Sequence, residues 1–252
     1  MSGERSVAIV TGASSGIGAA TAVALSAAGF DLVLGARRVD RLQEVALACR
    51  DDGHVAVHEL DVTDDASVAD FCAMAGSCRV LVNNAGGALG LDPVATSDIA
   101  QWQAMYDTNV LGTLRMTRAL LPALAASGDG HVVVIGSIAG IEPYVGGAGY
   151  NAAKAGQHAL AEVLRRETVG QPIRVSEVLP GLVETEFSLV RFAGDAARAA
   201  KVYEGLTPRR AGDVADVVVF VVTRPPHVNL ATTLVLPRDQ ATATVVHRRP
   251  SA

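Results

Sequence analysis

Short valine-rich apolar runs recur along the chain at residues 7–10, 32–34, 55–57, 80–82 and 132–135, each giving way to polar or glycine-containing sequence. Continuous runs of this length suit strands buried on both faces. Between them the pattern becomes helical, as at Val68, Phe71, Cys72 and Ala75, and at Leu111, Leu114 and Arg118 in a stretch expected to stop at Pro122. Val214, Val217, Val218 and Val221 fall at helical spacing, which predicts a helix although valine favours strands. Residues 173–179 and 233–236 read as the last two strands. Strands alternating with helices imply a parallel sheet of about seven strands with right-handed crossovers and helices on both faces, a doubly wound α/β domain.

Length and composition narrow the reading. The 252 residues contain no internal repeat or low-complexity linker, so a single domain over residues 1–252 is expected. Half of the residues are hydrophobic but only 4% are aromatic, which suits small-residue helices packed closely on a sheet. A formal net charge of −5 offers no bulk attraction to nucleic acid or to an anionic membrane. Cys49, Cys72 and Cys78 lack CxxC spacing and neighbouring histidines, so no metal site is expected. No apolar stretch approaches the roughly 18 residues of a membrane span, and residues 1–5 lead directly into the first strand without a signal-like region, so a cytoplasmic location is expected.

The first strand runs into Thr11-Gly12-Ala13-Ser14-Ser15-Gly16-Ile17-Gly18, followed by the helix-forming residues 19–28. Glycines permit close backbone approach to a ligand, and the unpaired N–H groups of a helix N-terminus attract anions. The turn therefore fits the diphosphate of a dinucleotide, and its strand-and-helix context separates it from an ordinary glycine-rich turn. At the end of the second strand, Ala36 stands where a NAD-binding unit carries an acidic residue, and Arg37 and Arg38 follow. A small neutral residue beside a guanidinium accommodates a 2′-phosphate, so NADP is favoured; the alternative is that the arginines only begin a solvated helix. Asp61 and Val62 follow the third strand and Asn84, Ala85 and Gly86 the fourth, at the sheet edge where such folds bind ligands. Asp61 either receives the adenine edge or caps the helix after Thr63.

Ser137 follows the strand at 132–135, and Tyr150 and Lys154 come four residues apart at the start of a predicted helix. That spacing places both side chains on one helix face, where an ammonium stabilises a tyrosinate. A tyrosine titrating near 10 needs such a cation to do acid–base work near neutrality. A Tyr-x-x-x-Lys pair alone is an ordinary helix contact, but the order of motifs is specific. Thr11-x3-Gly16-x-Gly18, Asn83-Asn84-Ala85-Gly86, Asn109, Ser137, Tyr150-x3-Lys154 and Pro180-Gly181 resemble the short-chain dehydrogenase/reductase family over nearly the whole chain.

The resemblance implies a Rossmann-like fold, with dinucleotide motifs mainly over residues 7–110, catalytic and substrate-loop motifs over 131–210 and a tail over 237–252. It implies that Tyr150 is the general acid/base, that Ser137 positions the substrate oxygen, and that Lys154 binds the nicotinamide ribose while tuning Tyr150. Asn109 would hold a water linking Lys154 to solvent, or else kink or cap its helix. Pro180, Gly181, Val183 and Thr185 would pack beside the nicotinamide. Residues 185–195 and the ending Val246-His247-Arg248-Arg249 are similar to the NADP-dependent 3-hydroxy acid dehydrogenase branch, which includes serine and allo-threonine 3-dehydrogenases. The expected substrate is then a small β-hydroxy acid or its semialdehyde, with Arg191, Arg248 and Arg249 the candidate partners of its carboxylate. Family members are commonly homotetramers, and the small apolar residues 152–160 permit close helix pairing or packing on the sheet. The alternatives are a carbonyl reductase for bulkier aldehydes or ketones and a catalytically silent NADPH-binding regulator.

Overall fold

A computed structural model describes residues 5–49 and 53–250. Its first half alternates β1 (Val7–Thr11), α1 (Gly16–Ala27), β2 (Asp31–Ala36), α2 (Val39–Leu47), β3 (Val55–Glu59), α3 (Asp65–Ala75), β4 (Val80–Asn83) and α4 (Ile99–Tyr106). Then follow α5 (Gly112–Ala126), β5 (Gly130–Ile135), α6 (Ala148–Glu167), β6 (Ile173–Pro180), β7 (Val183–Glu184), α7 (Phe187–Arg191) and α8 (Ala196–Lys201). The last elements are β8 (Arg209–Arg210), α9 (Ala211–Val222) and β9 (Thr232–Val235).

Seven strands form one sheet in the order β3-β2-β1-β4-β5-β6-β9, every pair parallel, while β7 and β8 make a separate short pair. The chain builds outward from β1 to β3, returns to lay β4 on the other side of β1, and then builds away in the opposite direction. The reversal lies between β1 and β4, which opens a crevice at their C-terminal ends.

Strand alternation sorts the apolar residues onto two faces. Val10, Leu32, Leu34, Val82, Val133 and Val178 pack with Ala22 and Leu25 of α1 and with Val214, Val218 and Val221 of α9. Ile9, Val33, Leu81, Val132, Val134 and Val175 pack with Phe71 of α3, Met116, Leu120 and Leu124 of α5, and Ala161 and Leu164 of α6. Each face therefore has its own apolar layer, and burial of both makes the strands read as continuous apolar runs.

The valine-rich segment near residue 218 is helical as expected, because its burial against α1 outweighs valine's weak strand preference. The helix expected to stop at Pro122 instead continues to Ala126 with Pro122 inside it. Pro122 falls near the C-terminal end and removes one intrahelical donor, while Leu120 and Leu124 on either side bury against the sheet. Leu111, Leu114 and Arg118 are helical as expected; Leu114 and Arg118 are exposed, and Met116, Leu120 and Leu124 face the core. A π-helical turn, Asp107–Leu111, joins α4 to α5 and carries Asn109 into the interior. Among the described residues, no helix is long and apolar enough to cross a membrane.

Candidate active site

The crevice is a cleft of about 780 Å³ running from Arg37 and Arg38 past Ser137 and Tyr150 to Arg191. Its dinucleotide end is built on Thr11. The buried Thr11 hydroxyl donates to the Val82 carbonyl at 3.3 Å and accepts the N–H groups of Asn84 and Ala85, each at 3.0 Å. Asn84 Nδ2 returns hydrogen bonds to the carbonyls of Thr11 at 2.9 Å and Gly12 at 3.1 Å. This stitching draws β4 against the glycine turn so closely that only glycine fits. Gly12 has φ +63°, and a Cβ on Gly18 would lie 2.4 Å from both Asn84 Nδ2 and the Gly12 carbonyl oxygen.

The helix that follows begins with free donors. Ser15 stands at the N-cap of α1 without a side-chain capping bond, and no acidic residue occupies the first turn. Such a terminus can take a diphosphate. Above it, Arg38 Nη2 donates to Ser15 Oγ at 2.9 Å, Ser14 Oγ at 3.4 Å and Glu186 Oε2 at 3.0 Å. Arg37 is exposed at the cleft wall beside Ala36. The Asp61 carboxylate accepts Thr63 N at 2.9 Å and Thr63 Oγ1 at 2.7 Å, whereas the cap of α3 is Asp64. Burial alone would push Asp61 up, but the Thr63 hydrogen bonds and the charges of Arg37 and Arg115 hold it below its ordinary value. Of the expected alternatives, Asp61 thus closes a local turn at the cleft wall and leaves the helix cap to Asp64.

At the chemical end, Ser137 leaves β5 in extended conformation and accepts Ala139 N at 3.1 Å. Tyr150 and Lys154 stand one turn apart on α6, both buried. Tyr150 packs against Phe187 with ring centres 5.5 Å apart, in an apolar cluster with Ala88, Met105, Ala139 and Ala153. Burial pushes its phenol well above the usual range; the Ser137 hydroxyl opposes this, Tyr144 adds to it, and Arg191 opposes it. The Lys154 ammonium lies 6.0 Å from the centre of the Tyr150 ring and donates instead to the Ile135 carbonyl at 2.9 Å and Gln157 Oε1 at 2.7 Å. Burial depresses Lys154 to about 8, against an opposing pull from Glu177. Beside the expected Lys154, a second cation, Arg191, therefore stands at the phenol.

Asn109 spends its side chain on bracing. Its Nδ2 donates to the carbonyls of Met105 at 2.7 Å and Gly87 at 2.9 Å, and its Oδ1 accepts Gly87 N at 3.3 Å. A Cβ on Gly86 would lie 2.5 Å from that Oδ1, which makes the Asn84-Ala85-Gly86 segment and the π-helical turn one unit. Protein groups also join Lys154 to the Asn109 backbone. Lys154 donates to Gln157, Gln157 Nε2 donates to Thr113 Oγ1 at 2.8 Å, and Thr113 donates to the Asn109 carbonyl at 2.7 Å. The helical positions of Gln157 and Thr113, three after Lys154 and four after Asn109, were the only signals that could have found them.

Pro180, Gly181, Val183 and Thr185 line the cleft between the two ends. Arg191 reaches in from α7, donating through Nε to the Gly90 carbonyl at 2.8 Å and through Nη1 to the Tyr144 hydroxyl at 2.8 Å. Its guanidinium lies 5.7 Å from the centre of the Tyr150 ring and has no ion-pair partner among the described residues. Arg248 and Arg249 do not join it. Arg248 donates to the carbonyls of Val202 and Glu204, and Arg249 to Thr207 and Asp239, which fastens the tail to the outside of the substrate loop. The tail contributes Gln240 and Ala243 to the cleft instead. Gln240 Oε1 accepts Leu182 N at 2.8 Å, a contact unmarked by any local pattern.

Residues 6–194 match the model of the short chain dehydrogenase family. The chain belongs to that family. It is 58% identical to an uncharacterized oxidoreductase of Mycobacterium tuberculosis, over 95% of this chain and 94% of that protein. It is 42% identical to the NADP-dependent 3-hydroxy acid dehydrogenase of Schizosaccharomyces pombe, over 96% of each chain. Its backbone matches the closed form of a serine dehydrogenase complexed with NADP⁺ at a TM-score of 0.90, with 37% identity over 96% of this chain and all (100%) of that one. This short-chain dehydrogenase is thus an oxidoreductase built as one Rossmann-like α/β domain.

Proposed function

We propose that this NADP-dependent oxidoreductase acts on small 3-hydroxy acids or β-hydroxy amino acids, oxidising the β-hydroxyl or reducing the corresponding semialdehyde. The observation that carries the substrate class is Arg191, a guanidinium without a carboxylate partner among the described residues, fixed beside Tyr150. A planar cation there suits a carboxylate one or two carbons from the reacting centre.

The coenzyme fits residues of this chain. The uncapped start of α1, with Gly12, Ser14, Ser15, Gly16, Ile17 and Gly18, suits the diphosphate, and Arg37 and Arg38 suit a 2′-phosphate that NAD lacks. Asp61 and Val62 would receive the adenine, Asn84, Ala85 and Gly86 the central ribose region, and Pro180, Gly181, Val183 and Thr185 the nicotinamide. When bound, NADP supplies or accepts the hydride. Tyr150 moves the proton of the substrate hydroxyl, Ser137 holds that oxygen, and Lys154 lends positive charge to the phenol and binds ribose. Asn109 holds the Gly86 segment and, through Thr113 and Gln157, orients Lys154.

A second reading, reduction of bulkier aldehydes or ketones, is favoured by the apolar mouth of the cleft. Leu91, Val145 and Val190 line it and are exposed, Val145 at 95%. The two readings separate in one assay of coenzyme absorbance. L-serine, L-allo-threonine and 3-hydroxypropionate are offered with NADP⁺, and neutral aldehydes and ketones with NADPH. Turnover of the hydroxy acids supports the first reading, turnover of bulky carbonyls alone the second, and silence with retained NADPH binding a regulator.

The exposed Ile99, Tyr106 and Val163 on α4, α6 and their surroundings support pairing of these helices in a homotetramer. Sedimentation equilibrium of the purified protein tests this: a tetrameric mass supports it and a monomeric mass opposes it.

A further inference from the structure

Glu177 is a buried carboxylate outside the chemistry just described. It lies in β6, opposite Val134 of β5 and Thr232 of β9, with its side chain 1% exposed. Ile173 and Val175 of the same strand face the α6 side, and alternation puts Glu177 there too. Its Oε2 accepts His158 Nδ1 at 2.6 Å. Its Oε1 is buried without a hydrogen-bond partner among the described residues. Burying a carboxylate is costly unless a counter-charge offsets it, and that cost asks what Oε1 faces.

Two contacts answer. Oε1 sits against Gly136, where a Cβ would be 2.5 Å away. The carbonyl of the preceding residue, Ile135, is the acceptor of Lys154 Nζ at 2.9 Å. The carboxylate and the ammonium therefore flank one peptide unit, Ile135–Gly136. Lys154 and His158 are also one turn apart on α6, so the helix presents both to the same part of the sheet. The two groups that Lys154 touches, the Ile135 carbonyl and the Gln157 amide, are neutral.

We propose that Glu177 is a positioning residue of the active site, whose carboxylate, held by His158 behind the Ile135–Gly136 peptide, is the counter-charge of the Lys154 ammonium. The inference rests on the assignment of Tyr150 as acid/base above. The charged and titratable groups involved are Tyr150, Lys154 and His158 on α6 and Glu177 on β6. Thr232 on β9 and Gly136 on β5 bring no charge, and Tyr144 and Arg191 act on Tyr150 from the substrate side. Burial favours the neutral amine of Lys154 and Glu177 opposes it. Without the carboxylate, Lys154 loses its proton at lower pH, and the site loses that cation sooner as pH rises.

The test follows the Lys154 amine by carbon-13 NMR of lysine-labelled protein, in which only Lys154 and Lys201 give signals, beside the pH profile of kcat/KM for oxidation. The near-isosteric Glu177→Gln should move the Lys154 ionisation, and with it the alkaline limit of kcat/KM set by that ammonium, downward by about 0.5–1 pH unit, and Glu177→Asp should restore most of that shift. His158→Leu removes the donor that fixes Oε2 and releases the carboxylate from its place behind the peptide, and should shift both readouts the same way; it decides the matter if Glu177→Gln does not fold. Unshifted readouts in the folded variants overturn the inference while leaving Tyr150 in its role. Full turnover by Tyr150→Phe overturns the underlying reading instead.

Discussion

The Arg191 guanidinium lies 5.7 Å from the centre of the Tyr150 ring, tied in place by the Gly90 carbonyl and the Tyr144 hydroxyl. The site thus sets an anchored cation beside the phenol proposed above for proton transfer. Arg191→Ala should raise KM for 3-hydroxy acids about tenfold to a hundredfold, the scale of a lost charged hydrogen bond, with a much smaller change for neutral ketones. Arg191→Lys should recover only part of the loss, because it restores the charge without the planar fork. Equal effects on acids and neutral ketones in steady-state assays would remove Arg191 from substrate recognition.

Coenzyme choice should follow the arginines after β2. Arg38 already holds Ser15 and Glu186 at the place where a 2′-phosphate would enter. Arg38→Ala should weaken binding of NADP⁺ and 2′,5′-ADP about tenfold or more while leaving NAD⁺ nearly unchanged, as calorimetry would show. Adding Ala36→Asp should turn the preference toward NAD⁺ by supplying the missing ribose acceptor. A uniform loss for both coenzymes would mean that Arg38 serves the fold instead.

Acid stability should depend on His131. The imidazole is fully buried in β5, with Nε2 2.8 Å from Ser176 Oγ, and burial lowers its pKa from 6.5 to about 3. Above pH about 6.5 it is neutral in both folded and unfolded chains, and its full contribution is present. Below that, the unfolded chain takes a proton that the folded chain refuses, so stability falls by about 1.4 kcal/mol per pH unit until pH nears the folded value. Denaturant unfolding of His131→Gln should show a shallower loss between pH 6.5 and 5. An unchanged slope would assign the acid sensitivity to other groups.

The motifs legible in the sequence are those whose chemistry is local. Gly12 to Gly18 and the Tyr150-Lys154 pair each lie within two helical turns, and the valine runs report burial on both sheet faces. The parts that stayed hidden depend on distant partners. Arg38 meets Glu186 148 residues away, and Gln240 meets Leu182 58 residues away, and no periodicity marks either pairing. Glu177 was masked for a different reason: it interrupts the apolar row of Ile173 and Val175 on one face of β6, and its partner His158 lies on another element. Arg248 and Arg249 show the converse, basic residues whose sequence suggests a substrate role but whose donors hold the tail to the loop.

The most direct test of the account removes one oxygen. Tyr150→Phe keeps the ring that packs on Phe187 and deletes the hydroxyl assigned to proton transfer. NADPH fluorescence should show unchanged coenzyme binding, while single-turnover oxidation of 3-hydroxypropionate or L-serine should slow about a hundredfold to ten-thousandfold. Retention of the wild-type oxidation rate with coenzyme binding intact would contradict the assignment of Tyr150 as the acid/base of this dehydrogenase.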